Sequence, residues 1–142
     1  MFRVAGPDDF APIMALYRQL HPSDPPVGGS SVFQTILASP ALHLFVLDMS
    51  GAVVATTYLN VIPNLTRSAS PYAVIENVVV DAAHRGTGLG RQIMAGTLRA
   101  AWDAGCYKVM LMTGSRDPAT HGFYRACGFS ADAKTGYVAR PS

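Results

Sequence analysis

Cysteine, charge and long apolar runs are all scarce in this chain, and each scarcity removes a class of protein. The two cysteines among 142 residues, Cys106 and Cys127, supply neither a disulfide framework nor a repeated metal-ligand pair, and the four histidines are widely separated. Only 14% of the residues are charged and the formal net charge is +2, with lysine and arginine scattered along the chain. That pattern lacks the basic stripe of a nucleic-acid binder. No apolar stretch approaches the roughly 20 residues that a bilayer requires. The opening Met1-Phe2-Arg3-Val4 enters a strand-like stretch and then a polar turn, without the apolar run of a signal peptide. A cytoplasmic, metal-free protein with neither nucleic-acid nor membrane partners is the expectation.

What is present is apolar: 49% of the residues, enough at this length to bury one continuous core, so a single domain over residues 1–142 is expected. Phe2 to Val4 reads as a strand, and Asp8 or Asp9 can cap a helix with Phe10, Ile13, Met14, Tyr17 and Leu20 at helical spacing. Residues 21–29 are rich in proline and glycine and form a loop, after which Ser30 or Ser31 can cap a second helix through Phe33, Ile36 and Leu37. Two β-prone runs, 42–47 and 52–62, flank Asp48-Met49-Ser50-Gly51 and predict an antiparallel hairpin. Residues 72–81 predict a strand whose unalternating Val78-Val79-Val80 suits burial on both faces. A helix over 89–104, ended by Gly105, a strand over 107–113, a helix over 118–126 and a last strand or hairpin within 129–140 complete the reading. The total is an α/β domain of six or seven strands and about four helices.

The segment after the valines carries the chemistry. Asp81-Ala82-Ala83-His84-Arg85-Gly86-Thr87-Gly88-Leu89-Gly90-Arg91 takes a buried strand into a helix through glycines. Glycines allow close backbone approach, and the first turn of a helix leaves N–H groups unpaired and partially positive, so a diphosphate fits there. A Walker A loop needs Gly-Lys-Ser/Thr, where this chain has Gly90-Arg91-Gln92. A dinucleotide fingerprint needs a glycine at Arg91 and an acidic residue about twenty positions on, where Val109 to Leu111 stand. The bland alternative is that the glycines merely permit a tight turn.

Arg85-Gly86-Thr87-Gly88-Leu89-Gly90 resembles the pyrophosphate loop of the GNAT acetyltransferase superfamily, which is Arg or Gln, two residues, Gly, one residue, Gly or Ala. His121-Gly122-Phe123-Tyr124-Arg125-Ala126-Cys127-Gly128-Phe129 resembles the later motif of the same family, and Gly105-Cys106-Tyr107-Lys108 is similar to its glucosamine-6-phosphate N-acetyltransferase branch. The resemblance implies a mixed, mostly antiparallel sheet splayed between two central strands. It implies acetyl-CoA as acetyl donor, held by Arg85, Gly86, Thr87, Gly88, Leu89, Gly90 and Arg91, with Val78, Val79 and Val80 along the pantetheine arm. Many relatives form dimers through their last strands, so a homodimer is a further implication. Asp117 departs from the family, many members having Asn at that place.

Acyl transfer to an amine needs a base for the amine, donors for the oxyanion and a proton for the departing thiolate. Glu76 interrupts an apolar run and is a candidate base, expected to be partly desolvated; the alternative is a carboxylate paired with an arginine. By resemblance, Tyr124 supplies the proton and the amide of Val78 the oxyanion contact; a core tyrosine bonded to a carbonyl is the alternative for Tyr124. His121 is a proton relay or a solvated side chain, and His84 a turn residue or a phosphate neighbour. His21, Arg67 and Arg116 are candidate contacts to an acceptor whose amine belongs to a small molecule or a peptide. The rival function is an acetyl-CoA-sensing module without catalysis.

Overall fold

The computed structural model describes residues 1–25 and 28–142, which form two compact units, Met1–Leu111 and Met112–Ser142. In the first unit the order is β1 (Phe2–Val4), α1 (Phe10–Leu20), α2 (Ser30–Ala38), β2 (Leu42–Met49), β3 (Ala52–Ile62), a four-residue turn α3 (Thr66–Ala69), β4 (Tyr72–Val80), α4 (Leu89–Asp103) and β5 (Val109–Leu111). The second unit contains α5 (Pro118–Ala126). The five strands lie in the order β1-β2-β3-β4-β5, antiparallel through β4, with β5 parallel to β4.

The mixed, mostly antiparallel sheet is as expected, but its strand count among the described residues is five, below the expected six or seven. The strand foreseen within 129–140 does not form: residues 130–142 are all exposed, and the Ser130 hydroxyl accepts from the Asp132 amide at 3.2 Å, a turn that competes with extended pairing. Between Phe129 and Tyr137 the apolar residues are only alanines, too small to hold a sheet face. The edge suggested for dimer formation is therefore absent from this segment. The strand foreseen over 107–113 shortens to β5, because Thr113 Oγ1 accepts from the Ser115 amide at 3.1 Å and turns the chain.

Local chemistry explains the other elements. Ser50 (φ 55°) and Gly51 (φ 91°) make a two-residue hairpin turn between Met49 and Ala52, with Asp48 accepting from the Gly51 amide at 2.8 Å. Gly105 (φ 85°) stops α4 with two closing bonds, Gly105 N–H to Trp102 O and Cys106 N–H to Ala101 O. Gly29, not Ser30 or Ser31, occupies the cap position of α2. The added turn α3 is left-handed, with Arg67, Ser68 and Ala69 all near φ +55 to +59°, and the Asn64 carboxamide donates to Thr66 O and Ser70 O to hold it.

The sheet is covered on both sides. On one, α1 and α2 bury Ile13 and Phe33 against Leu44 and Val46, with Tyr17 and Tyr58 packed at the margin. On the other, Ile93 of α4 packs with Leu47, Val54 and Ala55, joined by Phe2, Val80 and Leu89. Thr97, a buried polar residue on α4, satisfies its hydroxyl against Thr57 Oγ1 (2.7 Å) and Ile93 O (2.8 Å). Gly96 admits the Phe2 ring so closely that a Cβ there would lie 2.7 Å from it.

At the chain start, Asp9 does not cap α1 with its side chain; its carboxylate accepts from Gly6 N–H (2.6 Å) and from the Arg3 guanidinium (2.7 and 3.0 Å), which also reaches Asp48 (3.0 Å). Arg3 holds the Asp9 carboxyl below the usual carboxylate range against the opposing effect of burial, and does the same to Asp48. A carboxylate so depressed stabilises the fold above its unfolded value, about 3.9, and loses that contribution as pH falls through its lower folded value. Asp9→Asn is expected to lower Tm by about 5 °C at pH 7. The difference from the parent should shrink as thermal melts are repeated toward pH 3, and a gap that stays constant would contradict this account of the pair.

Candidate functional site

Strand β4 changes its register partway along. Tyr58 stands opposite Glu76, yet Thr56 stands opposite Val79, so β4 spends one more residue than β3 between these pairs and Asn77 and Val78 share the place opposite Thr57. Asn77 takes φ +53°, a left-handed conformation that asparagine tolerates better than most residues. This is a β-bulge, and it reverses which side chains face which layer. In an unbroken strand, residues 76 and 80 share a face. Here the partner of Glu76 is Tyr58, on the α1 side, whereas Val80 packs with Ala55 and Ile93 on the α4 side.

The pairing of β4 with β5 covers only Ala73 to Ile75 against Val109 to Leu111, and β4 continues for five residues beyond it. The sheet thus opens beside the bulge. The exit from β4 is braced by α1: Gln19 donates to Asp81 (3.1 Å) and accepts from the Ala82 amide (2.9 Å). Asp81 also accepts from the Ala83 amide and meets His84 Nδ1 at 3.2 Å. These bonds, that from Gln19 foremost, hold the Asp81 carboxyl below its ordinary range.

The glycine turn follows at once. Gly86 (φ 77°) and Gly88 (φ 86°) are left-handed, and a Cβ on either would meet no protein atom within 4 Å, so the space beside both is open. Gly88 is the cap residue of α4 and supplies no side chain to the first-turn amides, and the first intrahelical bond runs from Gln92 N–H to Gly88 O. No acidic residue stands in that first turn; Arg91 does, with Arg85 before it, both exposed. A cation at a helix N-terminus opposes the helix dipole. Uncapped amides, two guanidinium groups and open space beside the glycines together suit a dianionic ligand.

In the second unit, α5 begins at Asp117, whose carboxylate accepts from the Ala119 amide at 2.9 Å. The departure from Asn at this place keeps the capping function. His121 Nε2–H donates to Ser115 O at 2.8 Å, which ties the helix to its entry loop and commits that nitrogen. At the other end Gly128 (φ 98°) donates to Arg125 O and Phe129 to Tyr124 O, the two bonds of a Schellman closure. The Phe129 ring lies 6.2 Å from that of Tyr124, with Phe123 at 5.2 Å. Burial raises the Tyr124 hydroxyl above its ordinary range, with Cys127 adding to the effect, so it is a protonated group at neutral pH.

The model of the Acetyltransferase (GNAT) family matches residues 10–129. The chain belongs to that family. This GNAT acetyltransferase is 34% identical over 122 residues to glucosamine 6-phosphate N-acetyltransferase 1 of Oryza sativa subsp. japonica, covering 82% of the chain and 72% of the relative. It is 33% identical to the glucosamine 6-phosphate N-acetyltransferase of Trypanosoma brucei brucei, covering 62% of the chain and 58% of that protein. Among solved structures, one described as "Putative acetyltransferase from Agrobacterium tumefaciens str. C58" shares 47% identity at a TM-score of 0.94, with 99% of both chains covered. Glucosamine-6-phosphate N-acetyltransferase from Arabidopsis thaliana, at 23% identity and TM-score 0.85 over 99% of this chain and 97% of that one, shares the fold.

Of the residues singled out from sequence, Glu76, Val78 to Val80 and Arg85 to Arg91 run consecutively through the bulge, the open stretch of β4 and the glycine turn. Glu76 corrects an expectation: it is exposed, not partly desolvated, because its side of the strand lies at the margin of the α1 layer. His21 closes α1 near the C-terminal end of β4, whereas Arg67 precedes the N-terminal end, roughly 25 Å away along the strand. The two do not converge. The Arg67 guanidinium instead lies 5.6 Å over the Tyr107 ring. Arg116 is exposed on the loop into α5, and part of the 21–29 loop, residues 26 and 27, lies outside the described residues. Cys106 is buried, and that burial pushes its thiol up, which suits packing better than nucleophilic use. Sequence reading missed Asn77; the signal was an asparagine, poorly suited to strands, inside a run of Val and Ile.

Gly128→Ala is expected to cost about 1 kcal/mol, since alanine resists the left-handed closure. Amide exchange should show it as faster exchange at Gly128's position and at Phe129 than in the middle of α5, and unchanged rates there would contradict the closure as the device that seats Tyr124.

Proposed function

We propose that this chain is an N-acetyltransferase that moves the acetyl group of acetyl-CoA to a primary amine by direct attack in a ternary complex, with residues 1–142 acting as one catalytic domain. The observation that carries the reading is the uncapped N-terminus of α4, flanked by Arg85 and Arg91 and opened by left-handed Gly86 and Gly88. The family match runs through both compact units, which supports treating them as one domain.

Acetyl-CoA supplies the activated thioester. The amides of Leu89, Gly90 and Arg91, with the Arg85 and Arg91 guanidinium groups and the Thr87 turn, bind its diphosphate. The backbone of Val78, Val79 and Val80, beyond the stretch paired with β5, is free in register to hold an extended arm. The Val78 amide, brought to the bulge by Asn77, stabilises charge developing on the carbonyl oxygen. Glu76 accepts the amine's proton through water, as its exposure permits, and Tyr124 gives its proton to the departing thiolate. His21, Arg67 and Arg116 remain acceptor candidates, and their separation favours His21 over Arg67 for an acceptor near the bulge. The relatives named as glucosamine 6-phosphate N-acetyltransferases make a phosphorylated amino sugar the first acceptor to test.

The decisive assay follows free thiol in purified protein with acetyl-CoA, with and without glucosamine 6-phosphate and a panel of other amines. Amine-dependent thiol release is expected; tight acetyl-CoA binding with no release for any amine would favour a sensing module. Tyr124→Phe is expected to lower kcat by roughly a hundredfold with acetyl-CoA affinity held within a fewfold. Equal losses in both would remove its role as proton donor. Gly88→Val should abolish acetyl-CoA binding in calorimetry while the far-UV spectrum is kept, because a branched residue resists φ 86° and its side chain fills the open space beside the turn.

A further inference from the structure

The glycine turn is entered through a short segment built around Asp81. The Asp81 carboxylate accepts from the Ala83 amide (3.4 Å), meets His84 Nδ1 (3.2 Å) and accepts from the Gln19 carboxamide (3.1 Å). Its main-chain carbonyl accepts from the His84 amide at 2.8 Å. Farther along, the Thr87 hydroxyl donates to His84 O, and Arg85 Nε donates to Val80 O at 3.2 Å. Residues 80–87 therefore form one bonded unit, and it delivers Arg85, Gly86 and Gly88 to the uncapped start of α4.

Two ties hold that unit to the rest of the first unit of the chain. Asp81 N–H donates to Val54 O (2.8 Å), where the pairing of β4 with β3 ends. Beyond that point, among the described residues, Gln19 supplies the one hydrogen bond that reaches residues 82–88 from a distant element. It comes from the last turn of α1, 62 positions before Asp81, and uses both ends of its carboxamide: Nε2 donates to Asp81, and Oε1 accepts from the Ala82 amide at 2.9 Å. Donor and acceptor are fixed in one plane, so bonds to two consecutive residues set the orientation of the chain there as well as its position. The helix that carries Gln19 is itself anchored by buried Ile13 and Leu16. A binding loop held by a rigid element loses less conformational freedom when its ligand arrives.

We infer that Gln19 is a positioning residue for the diphosphate of acetyl-CoA, its carboxamide locking Asp81 and Ala82 so that the glycine turn approaches α4 in one orientation. This rests on the acetyl-CoA reading above. Gln19 does not touch the ligand in this scheme, and a thioester ligand that lacks a diphosphate is indifferent to it.

The test measures Kd for acetyl-CoA and for S-acetylpantetheine in the parent, Gln19→Met, Asp81→Ala and the double variant. Methionine keeps the length of the side chain and removes both hydrogen bonds. Gln19→Met is expected to weaken acetyl-CoA about tenfold, the scale of one or two lost hydrogen bonds, and to leave S-acetylpantetheine within about twofold. In the Asp81→Ala background the same substitution should cost at most about threefold, because its main partner is already gone. In ligand-free protein, Gln19→Met should speed amide exchange at Ala82 with Ile93 and Met94 of α4 unchanged. Equal weakening of both ligands, an undiminished loss without Asp81, or unchanged exchange at Ala82 would each overturn the inference. A parent protein that binds acetyl-CoA no better than S-acetylpantetheine would overturn the underlying reading. A parent that prefers acetyl-CoA, with the preference intact in Gln19→Met, would overturn the role of Gln19 alone.

Discussion

A helix whose first amides have no side chain to bind them carries an electrostatic demand, and in this chain that demand falls where β4 ends. Gly88 caps α4 without a side chain, no acidic residue compensates in the first turn, and Arg85 and Arg91 add positive charge. Such a terminus is costly for a helix standing alone. It is held open because both sides are anchored: Ile93 and Met94 bury the helix in the core, and Gln19 with Asp81 fixes the approach from β4. The cost of the unsatisfied terminus is thus borne by packing elsewhere, which leaves the donors available to an anion.

The second constraint is geometric. The bulge at Asn77 and the early end of β4–β5 pairing occur within a few residues of each other, so β4 offers unpaired backbone beside a redirected amide. Strand, bulge, turn and helix follow one another without a break from Glu76 to Arg91. Proximity of these groups therefore needs no long-range closure within the first unit; it is built into the order of the residues.

Much of this was legible in the residues themselves. Gly86, Gly88, Gly105 and Gly128 each stand where the chain needs a left-handed residue, and the places of Gly88, Gly105 and Gly128 relative to apolar runs mark helix ends. The hairpin around Ser50 and Gly51 was equally readable, as were the helical stripes of α1 and α4. What could not be read depends on partners distant in sequence. Asp9 looked like a helix cap, but Arg3 and the Gly6 amide claim its carboxylate. Glu76 looked desolvated because its neighbours are apolar, yet the bulge after it and the edge of the α1 layer leave it exposed. The segment 129–140 read as a last strand or hairpin, but the Ser130 turn and the absence of large apolar side chains between Phe129 and Tyr137 leave it without sheet pairing. The left-handed turn at Arg67 to Ala69, without a glycine, carries no local signal at all beyond Asn64, whose carboxamide holds it.

The account stands on diphosphate binding at the α4 N-terminus, and comparing acetyl-CoA with S-acetylpantetheine in calorimetry tests it most directly. Both carry the same thioester and arm, but only acetyl-CoA carries the diphosphate. The account predicts that acetylpantetheine binds at least about a hundredfold more weakly, and that added salt weakens acetyl-CoA far more than acetylpantetheine. Equal affinities for the two, insensitive to salt, would contradict it.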